Sequence, residues 1–170
     1  MRSRLHSSVF ASDNETIEQV IKNELLRRGW TIGTAESATG GLVAARLTSI
    51  PGASAFFRGS IIAYAADLKT SLLDVTDVSA GLVSEPTLLA MGEGARKALG
   101  VDVALAVAGS AGPNPLEQPV GTMVMAVVTP EGSRARTLKF PGDRERIRVY
   151  ATTSALHLVR LAVTGEWWRG

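Results

Sequence analysis

The stretch Val103-Ala104-Leu105-Ala106-Val107-Ala108 decides the fold. Its six residues are all apolar, with no alternation toward polar ones. A strand wetted on one face alternates, so an unbroken apolar run of this length describes a strand covered on both faces. Layers of helix must then lie above and below it, and the flanking sequence supplies them. Upstream, Ser84-Glu85-Pro86 opens a long helix running to about Leu99 and stopped by Gly100. Before it come a β-rich stretch from Phe56 to Ala65 and a short helix from Asp67 to Leu73. Earlier still, Trp30 to Ala35 reads as a short strand, followed by helical periodicity over Leu42 to Leu47. Ser12-Asp13-Asn14-Glu15 has the pattern of a capping box, opening a helix with Ile17, Val20, Ile21 and Leu25 on one face and ending at Gly29. Downstream, Thr122 to Thr129 and Arg134 to Phe140 flank Pro130-Glu131-Gly132-Ser133 as a hairpin, and a last helix spans Asp143 to Val163. Strands alternating with helices predict an α/β chain: a three-layer α/β/α sandwich whose mixed sheet includes a C-terminal β-hairpin. Residues 1–12 read as a loose arm, 13–165 as a single domain and 166–170 as a tail. Trp167 and Trp168 in that tail suit packing on the body or on a partner subunit.

Composition narrows the chemistry. The 170 residues include no cysteine and two histidines, His6 and His157. Disulfides, Cys-bound zinc, iron–sulfur clusters and thiol nucleophiles are excluded, and a His-rich metal site or a Ser–His–Asp triad is hard to assemble. His157 lies among Leu156, Leu158 and Leu161 and reads as structural. No metal and no cofactor is expected. Eighteen Lys and Arg against sixteen Asp and Glu leave a formal charge of +2, too weak a surplus for a dedicated nucleic-acid-binding face. The basic start, Met1-Arg2-Ser3-Arg4, is followed by too short an apolar run for a signal peptide, and nothing reaches membrane-span length. A cytoplasmic protein without membrane or nucleic-acid partners is the expectation.

Three polar, glycine-bearing turns interrupt this scaffold. In Thr34-Ala35-Glu36-Ser37-Ala38-Thr39-Gly40-Gly41 a strand gives way to a helix, so unpaired N–H groups can face an anion and Ser37 can act as a nucleophile. Simple helix capping by Ser37 or Thr39 is the commoner role for such residues. Gly109-Ser110-Ala111-Gly112-Pro113-Asn114-Pro115 follows the buried strand, at the sheet end where open α/β folds bind ligands. It has neither dinucleotide nor P-loop spacing, and taken alone it is a two-proline connection. In Gly142-Asp143-Arg144-Glu145-Arg146-Ile147-Arg148, Arg144 and Arg148 share a helical face near a helix start, where cations oppose the macrodipole unless an anion is near. A substrate phosphate can satisfy them, although a surface network with Asp143 and Glu145 is the commoner outcome for an Arg/Glu run. With histidine so scarce, Lys69 is the candidate base for a serine nucleophile, although by itself it reads as a solvated helix residue.

In this order the segments resemble one family, the C-terminal domain of the CinA competence/damage-inducible proteins, the nicotinamide-nucleotide amidohydrolases. The matching pieces are Thr34 to Gly41, Pro51-Gly-Ala-Ser54, Tyr64 with Lys69, Gly81-Leu-Val-Ser-Glu85, Gly109 to Pro113, Pro119-Val-Gly-Thr122 and Gly142-Asp-Arg144. They span about residues 14 to 163, as a stand-alone version of a domain that longer members join to another. The resemblance implies hydrolysis of the carboxamide of nicotinamide mononucleotide to nicotinate mononucleotide and ammonia. It implies catalytic roles for Ser37 as nucleophile, Lys69 as base and Tyr64 as its aid. It also implies substrate-binding roles for Glu36, Thr39, Gly40, Gly41, Gly109, Gly112, Arg144 and Arg148, with oxyanion-stabilising N–H groups around Thr39 to Gly41 and no metal. A small nucleotide is the expected partner and a homo-oligomer the expected assembly.

The chain departs from the family pattern at four positions. Ala38 stands where the family usually has Cys, Ala65 and Ala66 replace a Ser-Asn pair, and Ala108 stands where Thr is common. Ser37, Tyr64 and Lys69 are retained, so an active enzyme is the leading expectation; Ala65, Ala66 and Ala108 are the features that support an alternative class, a non-catalytic nucleotide-binding or interaction relative of the same fold. A hydrolase of another amide is a third reading.

Overall fold

The computed structural model describes residues 15–169. Ten regular elements follow in the order α1 (Ile17–Arg28), β1 (Ile32–Glu36), α2 (Leu42–Thr48), β2 (Phe57–Ile62), α3 (Ala66–Leu73), α4 (Glu85–Leu99), β3 (Val103–Gly109), β4 (Thr122–Thr129), β5 (Gly132–Lys139) and α5 (Arg144–Val163). Short 3-10 turns occupy Ala53–Ala55 and Glu166–Trp168. The strands form one sheet ordered β2-β1-β3-β4-β5. β2, β1 and β3 are mutually parallel, whereas β4 and β5 add antiparallel pairings, giving the mixed sheet that the hairpin predicted.

The two faces of the sheet differ in bulk. On β3, Val103, Leu105 and Val107 join Ile32, Met123, Met125 and Val127 against α1, α2 and α5. The alternate residues Ala104, Ala106 and Ala108 face the other way, with Ala35 and Ala126, against Leu73 of α3 and Leu88, Met91 and Ala95 of α4. Small residues on that face let α4 approach closely. A Cβ added at Gly33 would lie 2.5 Å from Leu99 Cδ1, and one at Gly92 would lie 2.8 Å from Val128 Cγ2. The three layers are therefore α1/α2/α5, sheet, and α3/α4.

The element ends show where local patterns compete. The Ser12–Glu15 capping box lies mostly outside the described residues; the cap of α1 is Thr16, whose side chain accepts from Gln19 N while the Gln19 side chain accepts from Thr16 N. Gly29 and Gly100 end α1 and α4 in left-handed conformation at φ 67° and 61°, as expected. β1 begins two residues later than Trp30, because Asp102 Oδ2 takes the Thr31 N–H at 2.8 Å and its hydroxyl at 3.1 Å. The hairpin turn is tighter than the four residues expected: Thr129 pairs with Gly132, leaving Pro130 and Glu131 to turn the chain. The C-terminal residues continue the body. Trp167 is 5% exposed in the core beside α5, and Trp168 Nε1 donates to Ala162 O at 3.0 Å. Among the described residues no helix is long and apolar enough to cross a membrane.

Gly94 controls the seating of α3 on α4, since a Cβ there would lie 1.9 Å from the Leu73 carbonyl oxygen. A backbone atom cannot rotate away, so Gly94→Ala must push the helices apart. Overpacking of this kind costs about 1–3 kcal/mol or more. The melting temperature of Gly94→Ala is expected to fall by at least about 2 °C, at about 2–4 °C per kcal/mol for a chain this long.

Candidate functional site

Beyond the carboxyl ends of the adjacent parallel strands β1 and β3, three loops surround a cleft of about 400 Å³. Its walls come from Ser37 and Ala38 after β1, Tyr64 and Ala65 after β2, Gly109 at the end of β3 with Ala111, Gly112, Asn114 and Leu116 beyond it, and Arg144 at the start of α5. This is the expected ligand position of an open parallel sheet, and its size suits a small molecule.

The Ser37 turn is built around a buried carboxylate. Glu36 has no exposed surface and ends β1. Its Oε2 accepts from Thr39 Oγ1 at 2.7 Å, Gly41 N at 3.0 Å and Val43 N at 3.1 Å, while Oε1 accepts from Ala44 N at 2.9 Å. Thr34 Oγ1 and Ser60 Oγ approach Oε1 at 3.3 and 3.4 Å. The free amides of the first turn of α2 are thus satisfied from within the protein, and a negative charge sits at the positive end of the helix. Glu36 and Thr39, expected to meet substrate, instead form the foundation of the turn. Gly41 and Gly40 adopt φ 100° and 58°, and their N–H groups are spent on Glu36 and on Ser37 O, the latter at 3.0 Å. Among the described residues, no hydrogen bond uses the N–H groups of Ala38 or Thr39, which leaves these two amides beside Ser37 available. Ser37 N donates to Val107 O at 2.9 Å, extending the β1–β3 ladder to the edge of the cleft.

The two arginines on α5 separate in role. Arg148 donates from Nε to Ala38 O at 2.9 Å and from Nη2 to Thr39 O at 3.1 Å, so it braces the turn from outside. Arg144 reaches the cleft, donating from Nη1 to Gly112 O at 2.8 Å and from Nη2 to the Tyr64 hydroxyl oxygen at 2.9 Å. Tyr64 is 58% exposed and keeps its own O–H proton to donate. Gly109 and Gly112 line the cleft because nothing larger fits: a Cβ at Gly109 would lie 2.5 Å from Thr122 O, and Gly112 sits at φ 84°.

Lys69 is buried, 4% exposed, and donates to Ala63 O at 3.1 Å. Desolvation pushes its ammonium below the ordinary value of 10.5, with the Glu117 carboxylate pulling the other way. A solvated surface lysine is therefore the wrong description. Ala63 in turn donates its N–H to Glu36 O at 2.9 Å, so Lys69 and Ser37 hang from the same stretch of backbone. Local spacing missed Asn114 and Leu116, which line the cleft beyond the glycines of their loop. Of the four family departures, Ala38 and Ala65 line the cleft, whereas Ala108 is 1% exposed in the core beneath α4. Among the described residues no group of three His, Asp or Glu side chains gathers as a metal site would require.

The model of the CinA C-terminal domain matches residues 14–163. The chain belongs to the CinA C-terminal domain family. This CinA domain is 45% identical over 168 residues to a CinA-like protein of Frankia casuarinae and 46% identical over 164 residues to one of Geotalea uraniireducens. The alignments cover 96% and 94% of the chain but 39% of each relative, so the chain spans about two fifths of the length of those proteins. Among solved structures it resembles competence damage-inducible protein A of Klebsiella pneumoniae, with TM-score 0.83, 30% identity, and coverage of 87% of this chain and 95% of that one. It also resembles the competence/damage inducible protein CihA of Agrobacterium tumefaciens, with TM-score 0.79, 32% identity, and coverage of 92% and 99%.

Removing the Glu36 carboxylate leaves four close donors unpaired in the interior. Hydrogen bonds to a charged group contribute about 1.5–3 kcal/mol each. Glu36→Ala is expected to lose more than about 3 kcal/mol in urea denaturation, and Glu36→Gln, which turns one acceptor into a donor facing N–H groups, to lose a substantial part of that.

Proposed function

We propose that this CinA domain is an amidohydrolase that converts nicotinamide mononucleotide to nicotinate mononucleotide and ammonia. The observation that carries the reading is that one cleft is lined by Ser37, whose hydroxyl makes no hydrogen bond among the described residues, and by a Tyr64 held by Arg144, with the buried Lys69 bonded to the carbonyl of Ala63, the residue before that tyrosine. In this scheme the Ser37 hydroxyl attacks the carboxamide carbon while its proton passes to neutral Lys69, with Tyr64 able to bridge. The tetrahedral oxyanion is met by the Ala38 N–H, the residue after the nucleophile, and by the Thr39 N–H; such donors contribute about 2.7–4 kcal/mol each to the transition state. Return of the proton to nitrogen breaks the C–N bond and releases ammonia. Water, losing its proton to the same lysine, then cleaves the acyl-serine ester.

Because the amides of α2 are engaged by Glu36, the nucleotide phosphate falls to Arg144 and the Ala111–Asn114 wall. Arg148 contributes indirectly by holding the turn. The alternative of a non-catalytic nucleotide binder draws on Ala38 and Ala65, whose methyl groups replace polar atoms in the cleft wall. Ammonia release from nicotinamide mononucleotide distinguishes the two. The enzyme reading expects release by the wild type and none by Ser37→Ala; binding without release by either chain would establish the alternative.

Lys69→Met is expected to lower kcat about 10²–10⁴-fold, the usual contribution of a positioned general base, with little change in nucleotide affinity. Parallel loss of affinity would assign Lys69 to binding or folding. The neutral amine is the active form, and burial lowers the pH at which it appears. Activity should therefore rise with pH through a midpoint below 10.5 in the wild type, and a profile flat across that range would exclude a lysine base.

A further inference from the structure

The turn after β1 is held by its carbonyl oxygens. Ser37 O and Thr39 O each accept from a backbone amide inside the turn, Gly40 N at 3.0 Å and Leu42 N at 3.2 Å. Ala38 O has no such donor. Among the described residues its one partner is Arg148, whose Nε donates to it at 2.9 Å from 110 residues further along the chain. The same guanidinium also donates from Nη2 to Thr39 O at 3.1 Å. A planar trans peptide points its C=O and the next N–H in opposite directions, so a fixed oxygen fixes the neighbouring hydrogen. The Ala38 N–H is therefore set by the bond from Gly40 to Ser37 O. The Thr39 N–H is set by Arg148.

Two further features suit a clamp at this place. A Cβ at Gly40 would lie 3.3 Å from Arg148 Nη2, so a side chain there would crowd the guanidinium against the turn. Among the described residues no carboxylate pairs with Arg148, whereas Arg27, Arg28, Arg46 and Arg160 each have one. Its charge is spent on the two carbonyls. A charge-assisted bond is stronger than a neutral one, and it polarises the peptide so that the N–H at the far end donates better.

We propose that Arg148 is a positioning residue for the oxyanion: it locks the Ala38–Thr39 peptide so that the Thr39 N–H stays beside Ser37 as the second donor, next to the Ala38 N–H. The proposal rests on the amidohydrolase reading above, which supplies the oxyanion; the clamp on the peptide does not. Rotation of this one peptide plane would exchange a donor for the Ala38 oxygen, which repels developing negative charge. Arg148 opposes that rotation without touching the reacting atoms. Two arginines four residues apart on α5 thus divide their work, Arg144 facing the cleft and Arg148 the backbone that lines it.

The test compares the full wild-type chain with Arg148→Met, which keeps an unbranched stem without the fork, and with Arg148→Lys, which keeps a charge able to bond to Ala38 O. In hydrolysis of nicotinamide mononucleotide, Arg148→Met is expected to lower kcat about 10²–10³-fold, the usual loss for one oxyanion donor, with KM changed less than about twofold. Arg148→Lys is expected to recover a measurable part of that loss at the same KM. A second readout needs no turnover. Pyridine-3-boronic acid takes up the serine oxygen at boron as a tetrahedral anion, whereas nicotinate mononucleotide is planar at its carboxylate. Arg148→Met is expected to bind the boronate about 10²-fold more weakly and the nucleotide as tightly as the wild type does. Unchanged kcat, a KM that rises as kcat falls, equal weakening of both ligands, or a lysine variant no better than the methionine one overturns the proposal. A wild type that takes up the boronate but releases no ammonia refutes the amidohydrolase reading, and the boronate comparison still decides the clamp. A wild type that does neither overturns both.

Discussion

One buried carboxylate governs the site. Glu36 ends β1 inside the protein and gathers the Gly41, Val43 and Ala44 amides and the Thr39 hydroxyl onto its two oxygens. Without it, the first turn of α2 would present unpaired donors to the interior and the chain after β1 would have no fixed direction. With it, Ser37 is carried to the lip of the cleft while Arg148 pins the Ala38 and Thr39 carbonyls from the opposite side. On the proposed reading, the same arrangement decides where a substrate anion can go. A helix N-terminus already neutralised by its own glutamate is a poor phosphate site, which leaves Arg144 as the cation facing the cleft.

The asymmetry of the sheet supplies the second constraint. Valine, leucine and methionine on one face fill the space beneath α1, α2 and α5, while alanine and glycine on the other bring α4 and α3 close. Gly94 lets the Leu73 backbone sit directly on α4, and Lys69 lies one turn before that contact. Close packing removes water from the lysine, and desolvation lowers the affinity of its amine for a proton. A packing feature remote from the cleft thus sets a chemical property at its edge.

Features encoded in consecutive residues were readable from the sequence. The apolar run of β3, the glycine stops at Gly29 and Gly100, the hairpin and the strand–turn–helix around Ser37 depend on local conformational preference or on unbroken burial. What escaped depends on contacts between distant residues. Arg144 and Arg148, four apart, look equivalent on a helical wheel; they differ because one meets Tyr64 and Gly112 and the other meets the turn carbonyls. Lys69 looks like a surface residue of a short helix until Ala63 O is placed against its ammonium. Glu36 reads as a polar residue available to ligand, since nothing in Thr34 to Gly41 reveals that α2 folds back onto it. At the N-terminus, Ser12–Glu15 and Thr16–Gln19 carry the same capping pattern four residues apart, and the helix begins after the second.

In the proposed reaction Ser37 becomes covalently acylated by the carboxamide carbon of nicotinamide mononucleotide. Acid-quenching the protein during turnover and mapping the mass increment by peptide mass spectrometry addresses it directly. A nicotinoyl-nucleotide adduct on the peptide containing Ser37, absent from Ser37→Ala, is the predicted result. Ammonia release that persists in Ser37→Ala, or an adduct on a different residue, would contradict it.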